Sequence, residues 1–288
     1  MRIFKLFING ISTANTNFKI IIYLWIINFL FSLMLVAPVY FMINKNISKS
    51  LMGEKLAQGF DLFWLGDVLY KFRDFSPALI GGIIFPALLY LLLYIFLNGG
   101  IIGRLTVTFE NVNLKNFFSD CGFFFWRFFK LFLISIVVYV VFLGLFYRII
   151  SMILEIFTKK ATTEWPLIIV SNLKIVVLLL LFTIVTMFFD YAKIRVVISN
   201  SKKVIKETLF TLKFLGKRFF KAWGLYLLIG LFFLIITFIY MEIAYIIPKN
   251  TSLLILLSFI WQQIYIFARL WIKLIFFGSE IEFYRYFI

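Results

Sequence analysis

The sequence predicts an all-α protein, a polytopic transmembrane helix bundle of six spans with interfacial amphipathic helices. Three observations carry that reading. Six long apolar stretches punctuate the chain, 64% of its 288 residues are hydrophobic, and lysine and arginine gather in alternate gaps between the stretches. Soluble domains hold ~45–50% apolar residues, so lipid rather than water is the solvent that fits this surface. Aromatics reach 21%, with 40 Phe, so large rings do much of the packing and meet much of the lipid. No long polar or Gly/Ser/Pro-rich linker interrupts the chain, and residues 1–288 read as a single integral membrane domain.

The first stretch, Ile20–Asn44, follows an amphipathic segment without a small-residue cleavage site, and reads as a retained helix rather than a signal peptide. It and the second stretch, Phe75–Gly103, each exceed the ~20 residues needed to cross ~30 Å of hydrocarbon. Between them, Ser50–Gly59 and Asp61–Phe72 read as two short amphipathic helices on the outer leaflet, the second led by Asp61 as N-cap. Leu131–Tyr147 is slightly short and continues past Arg148 toward Phe157. Ile175–Phe189 needs residues on its Lys174 side to span. Ala222–Met241 and Asn250–Ala268 complete the six, the last continuing through Arg269 and Lys273 toward Phe277.

Charge sets the threading. Three basic residues precede the first span, four lie in the second gap, nine in the fourth and three after the sixth, making nineteen of the 29 Lys and Arg. The alternate gaps hold eight. The positive-inside rule then puts both termini in the cytoplasm of a multi-pass cell-membrane protein. Six of the 13 acidic residues share the basic side, so most of the formal net charge of +16 faces one leaflet. The expected partners are membrane lipids, with anionic headgroups at the cytoplasmic face contributing ~1 kcal/mol per basic residue. A protein partner is left open, and no nucleic acid is expected, because a soluble face of clustered bases and stacking aromatics is missing.

Each inward-to-outward span is entered alike. Asn17-Phe18-Lys19 precedes the first, Arg127-Phe128-Phe129-Lys130 the third and Arg218-Phe219-Phe220-Lys221 the fifth. Upstream of each lies a segment of helical apolar spacing. In Lys202–Lys217, the clearest, Ile205, Leu209, Leu212 and Leu215 oppose Lys203, Lys206, Lys213 and Lys217, the pattern of a helix lying in the membrane interface. One reading is a three-fold repeat of a two-span unit. The other is that basic-aromatic anchors recur at cytoplasmic helix starts in any polytopic protein.

The chain has no histidine and one cysteine, Cys121. A Ser-His-Asp relay, a His-ligated metal and a haem histidine are therefore excluded within it. With no Gly-x-Gly-Asp intramembrane aspartyl signature, acidic metal cluster or phosphate-binding loop either, the expectation is no enzyme, no catalytic residue, no cofactor and no metal.

Polar residues in costly places are the site candidates. In the sixth span Thr251, Ser258, Gln262, Tyr265, Arg269 and Lys273 share one helical face. This stripe is either an interhelical hydrogen-bonding seam, with the two cations reaching toward the interface, or a wet path through the bundle. Asp190, at the inner end of the fourth span, needs a cation, with Lys193, Arg195 and Arg269 as candidates. Matching depths along their two helices favour Arg269. Lys174 is interfacial if its helix begins near Ser171, and ~13 Å deep if it begins at Trp165-Pro166. In the second span Pro86, Asn98, Gly99 and Gly103 mark either a helix break or a close helix contact.

Several short motifs carry a resemblance. They are Ser50-Leu51-Met52-Gly53-Glu54-Lys55-Leu56 with Gly59-Phe60-Asp61-Leu62-Phe63-Trp64-Leu65, Asn98-Gly99-Gly100-Ile101-Ile102-Gly103, Phe117-Phe118-Ser119-Asp120-Cys121-Gly122 leading to Arg127-Phe128, and Asp190-Tyr191-Ala192-Lys193-Ile194. Through them the chain resembles a group of uncharacterised bacterial six-helix integral membrane proteins. More distantly it is similar to the membrane domain preceding some glycerophosphodiester phosphodiesterases. The resemblance implies a six-helix fold and no activity, since no catalytic phosphodiesterase domain accompanies it here. The function expected is a structural, assembly or partner-binding membrane component, with a transporter or lipid-handling protein using the polar stripe as the alternative.

Overall fold

The structure is a computed structural model that describes residues 2–47, 66, 70, 76–107, 113–158, 165–248 and 250–288. Among them run seven helices: α1 (Arg2–Thr16), α2 (Phe18–Ile47), α3 (Ser76–Thr106), α4 (Leu114–Thr158), α5 (Trp165–Ile198), α6 (Val204–Ile246) and α7 (Ser252–Phe287). Each of α2 to α7 is long and apolar enough to cross a membrane. The chain is an all-α, multi-pass membrane protein. The two outer-leaflet helices expected over Ser50–Gly59 and Asp61–Phe72 fall almost entirely outside the described residues.

The helices overrun the bilayer. At 1.5 Å per residue the 45-residue α4 is ~68 Å long, against ~30 Å of hydrocarbon. The surplus is the upstream segments expected at the interface, and they join their spans differently. A turn at Asn17 divides α1 from α2. In α6 the helix breaks at Arg218 (φ −135°, ψ 22°), between the basic segment and the span. Leu114–Lys130 runs into its span without interruption. Phe117, Cys121, Phe124, Phe128 and Leu131 explain why, since these buried residues at steps of 4, 3, 4 and 3 form one stripe that crosses the expected junction.

The chain folds into two compact units. The first comprises Met1–Thr16, Asn98–Leu231 and Leu274–Ile288, the second Asn17–Leu97 and Phe232–Lys273. In the first, the last turns of α5 are buried nearly all round, through Met187, Phe189, Tyr191, Ala192, Ile194 and Val196. A helix covered on every side is the centre of its unit. The last turns of α7 are buried as thoroughly, through Leu274, Ile275, Phe277, Ile281, Phe283 and Tyr284. The basic segment of α6 presents three faces. Val204, Glu207, Thr211 and Leu215 are buried, Ile205, Leu209 and Leu212 are bare, and Lys203, Lys206, Lys213 and Lys217 are exposed. Leu215 thus leaves the apolar side expected to face lipid and packs on protein.

Candidate functional site

The polar heart of the first unit is the C-terminal end of α5. Asp190 pairs with Lys193, Nζ to Oδ1 at 2.8 Å, one turn along the same helix. This local pair takes the place of the long-range partner expected in Arg269. Two residues on, Arg195 donates from Nε to Glu207 of α6 at 2.7 Å, donates to the Tyr284 hydroxyl of α7, and lies over the Phe210 ring. One guanidinium therefore ties three helices, a use its rigid fork of donors suits. Glu280 of α7 is 1% exposed, and neither carboxylate oxygen has a hydrogen-bond partner among the described residues. Asp190 and Lys193 are its charged neighbours. An uncompensated buried carboxyl is among the costliest groups a fold can carry.

The glycines of α3 meet α4. A Cβ on Gly100 would sit 2.4 Å from Cys121 Sγ and 2.8 Å from the Phe117 ring. One on Gly99 would meet Phe124 at 3.2 Å, and one on Gly103 would meet Asp120 at 2.9 Å. Small residues admit the close backbone approach that membrane helices use to associate. The Arg104–Asp120 pair at 2.5 Å closes the same interface. Asn98, 3% exposed, leaves its Oδ1 without a partner among the described residues. The glycines are a packing contact, and α3 runs through Pro86 and through Asn98–Gly103 as one helix.

Arg127, expected as an interfacial anchor, is 8% exposed. It lies over Phe123 and Phe124 and donates to Asn200 Oδ1 at 2.7 Å. Asn200 ends α5 in the left-handed conformation (φ 48°) that Asn tolerates as a helix cap, so one residue both stops α5 and receives Arg127. Farther along the α4–α5 pair, Tyr139 meets the Thr186 hydroxyl at 2.8 Å, and Lys174 Nζ stands 3.6 Å over the Tyr147 ring. With α5 starting at Trp165, Lys174 is nine residues inside its helix, and the ring face takes the ammonium that lipid would not.

At the other side of this unit α1 lies against the end of α7. A Cβ on Gly10 would fall 1.9 Å from Ser279 Oγ and 2.9 Å from its backbone N, while one on Gly278 would meet Thr13 at 3.2 Å. Beside this contact opens a cleft of about 760 Å³, bounded by the first turns of α1, by Lys221 of α6 and by Glu282–Phe287.

In the second unit the stripe of the sixth span meets other helices at Tyr265 and Lys273, while Thr251 is exposed and the Ser258 hydroxyl is buried without a hydrogen-bond partner among the described residues. The Tyr265 hydroxyl meets Thr237 at 3.0 Å, and its ring stacks on Tyr240 at 4.0 Å between centroids. Trp261 donates to the Tyr240 carbonyl at 3.2 Å. Lys273 lies 4.0 Å over the Tyr94 ring, and Arg269 5.9 Å from that of Tyr265. Gln262 is exposed; its neighbour Gln263 turns to protein and accepts from Trp25 Nε1 at 3.2 Å. Asn28 of α2 accepts from the Tyr90 hydroxyl at 2.8 Å.

Sequence reasoning missed Glu280, Gln263, Asn28 and the Arg195–Glu207–Tyr284 junction. The available signals were Asn28 as an amide in the middle of an apolar run, and the helical spacing of Phe277, Ile281 and Tyr284 beyond Lys273. Comparison with known protein families, curated proteins and solved structures yields no match to this chain. Function must be argued from the residues alone.

Proposed function

We propose that this chain is a non-catalytic component of the cell membrane, with both termini in the cytoplasm, that holds partner molecules at the inner face. The observation that carries this reading is the set of contacts around the sixth span, in which two members of the polar stripe, Tyr265 and Lys273, take part. Thr237, Tyr240, Tyr265, Trp261, Gln263, Trp25 and Lys273 are engaged with one another or with nearby rings, as in a dry seam. The nineteen basic residues on the side that carries the termini support the orientation. The absence of histidine and of a nucleophile–base pairing in the sequence supports a binding rather than a catalytic role.

The lipid-handling alternative has one observation of its own, the cleft between α1 and the end of α7. Thiol labelling separates a seam from a wet path. In a Cys121→Ser background, Thr237→Cys and Tyr265→Cys are expected to resist a membrane-impermeant thiol reagent from both sides. Rapid labelling of either position returns the stripe to the transporter reading. A reporter active only outside, fused at residue 288, is expected to be silent and at residue 160 to be active.

A further inference from the structure

We infer that the cleft between α1 and the end of α7 is a binding site for one anionic phospholipid, its phosphate among the cations and its acyl region against the apolar wall. This deepens the proposed function by naming the molecule held, and it rests on that reading only for the side of the membrane concerned.

The cleft's size is right. Its volume of about 760 Å³ falls within the roughly 300–1,000 Å³ of small-molecule sites. Its chemistry is divided. Lys5 of α1, Lys221 of α6 and Arg285 of α7 bring three cations from three helices, against a single acid, Glu282, which Arg285 already faces at 3.5 Å. The rest of the lining is dominated by apolar groups such as Leu6, Phe283 and Phe287. A free phosphate would use the cations and leave the apolar wall wet. A neutral lipid would use the wall and leave the cations facing one another. An amphiphile with an anionic head satisfies both.

The surroundings are built to keep these cations in place. Lys221 lies 5.5 Å and Arg218 5.1 Å from the Phe287 ring. Arg285 also donates to the Thr106 carbonyl. The break at Arg218 separates the span from the basic segment, and Lys221 stands just past it at the foot of the span. Phe4 and Ile8 of α1 are exposed, so the helix that forms one bank of the cleft also carries apolar surface for lipid.

The test uses the full chain, purified in a neutral detergent at low salt, with binding read by native mass spectrometry and thermal unfolding. Phosphatidylglycerol is expected to bind and raise the melting temperature, while phosphatidylcholine and inorganic phosphate do neither. Lys5→Gln with Lys221→Gln is expected to weaken phosphatidylglycerol about 30-fold, roughly fivefold per lysine, the weight of one basic residue near an anionic surface. Lys202→Gln with Lys203→Gln, an equal loss of charge outside the cleft, is expected to bind as the parent does. Equal binding of phosphatidylcholine, equal stabilisation by inorganic phosphate, or equal weakening by both double variants overturns the site. If the first double variant does not fold, Lys5→Gln alone gives the same comparison at fivefold. Reporter fusions that reversed the topology would remove the cytoplasmic placement yet leave binding in detergent unchanged, so the two failures are distinguishable.

Discussion

The two compact units solve the same problem, polar groups in an apolar protein, in opposite ways. The first gathers charges and closes them on one another inside a core: Asp190 with Lys193, Arg195 with Glu207 and Tyr284, Arg104 with Asp120, Arg127 with Asn200. Among its described residues the second joins its helices through neutral pairs and ring faces. Much of its described surface is bare hydrocarbon, as at Leu30, Leu33, Val36, Leu253 and Leu256. The difference teaches what each kind of contact is worth. Leucine exposed on a transmembrane helix gains nothing by finding protein, because lipid tails are equally apolar, whereas a paired charge loses heavily when its partner goes.

That contrast can be attacked from its strongest point. Glu207→Gln removes one partner of a largely buried pair and is expected to cost about 3 kcal/mol, the low end for such pairs because Arg195 keeps some exposure. Thermal unfolding in detergent measures it, and a loss below ~1 kcal/mol would mean the first unit does not depend on its charges. Next in size is close packing. Gly10→Ala and Gly100→Ala each place a methyl where another atom already lies, and each is expected to cost about 1–3 kcal/mol. Gly144→Ala, where a Cβ meets nothing within 4 Å, is expected to be neutral or to stabilise by up to ~1 kcal/mol through helix propensity. Equal effects at the three glycines would erase the distinction between contact and lipid-facing surface.

The smallest effects belong to the second unit. Thr237→Val breaks the hydrogen bond to Tyr265 and is expected to cost about 0.6 kcal/mol, the average for interhelical bonds in a membrane protein. Leu33→Ala, on a bare face, is expected to change stability by less than ~0.5 kcal/mol in detergent. A large loss there would show that Leu33 has a protein neighbour in solution and would blur the comparison.

The fold was legible because its strongest signal, the six long apolar runs, depends on the bilayer rather than on tertiary detail. The break at Arg218 falls where the amphipathic pattern of Lys202–Lys217 gives way to a uniformly apolar run, a change visible in the sequence. The continuous α4 was not legible. Its stripe from Phe117 to Leu131 stays in register across Arg127-Phe128-Phe129-Lys130, and Arg127 and Phe128 of the motif that reads as a boundary are instead packed inside. The site was less legible still. Nearest-in-sequence reasoning could offer Lys193 to Asp190, but Arg195 reaches a residue 89 positions away, a pairing no local pattern encodes. The stripe on α7 was one residue out of step at Gln263, because a helical wheel fixes a face and not which neighbour that face meets.

The Gly10–Ser279 contact also orders the protein's biosynthesis. Its two halves are separated by most of the sequence, and the unit they complete is assembled from residues 1–16, 98–231 and 274–288. Domains generally fold as they emerge, N-terminal parts first, yet α1 is synthesised before any of the surface it seats on. Its contact with α7 cannot form until Ile275–Ser279 have been made. A chain arrested before residue 275 would hold Gly10 and Thr13 without the end of α7 that they meet, so the unfinished copy differs from the finished one at this contact.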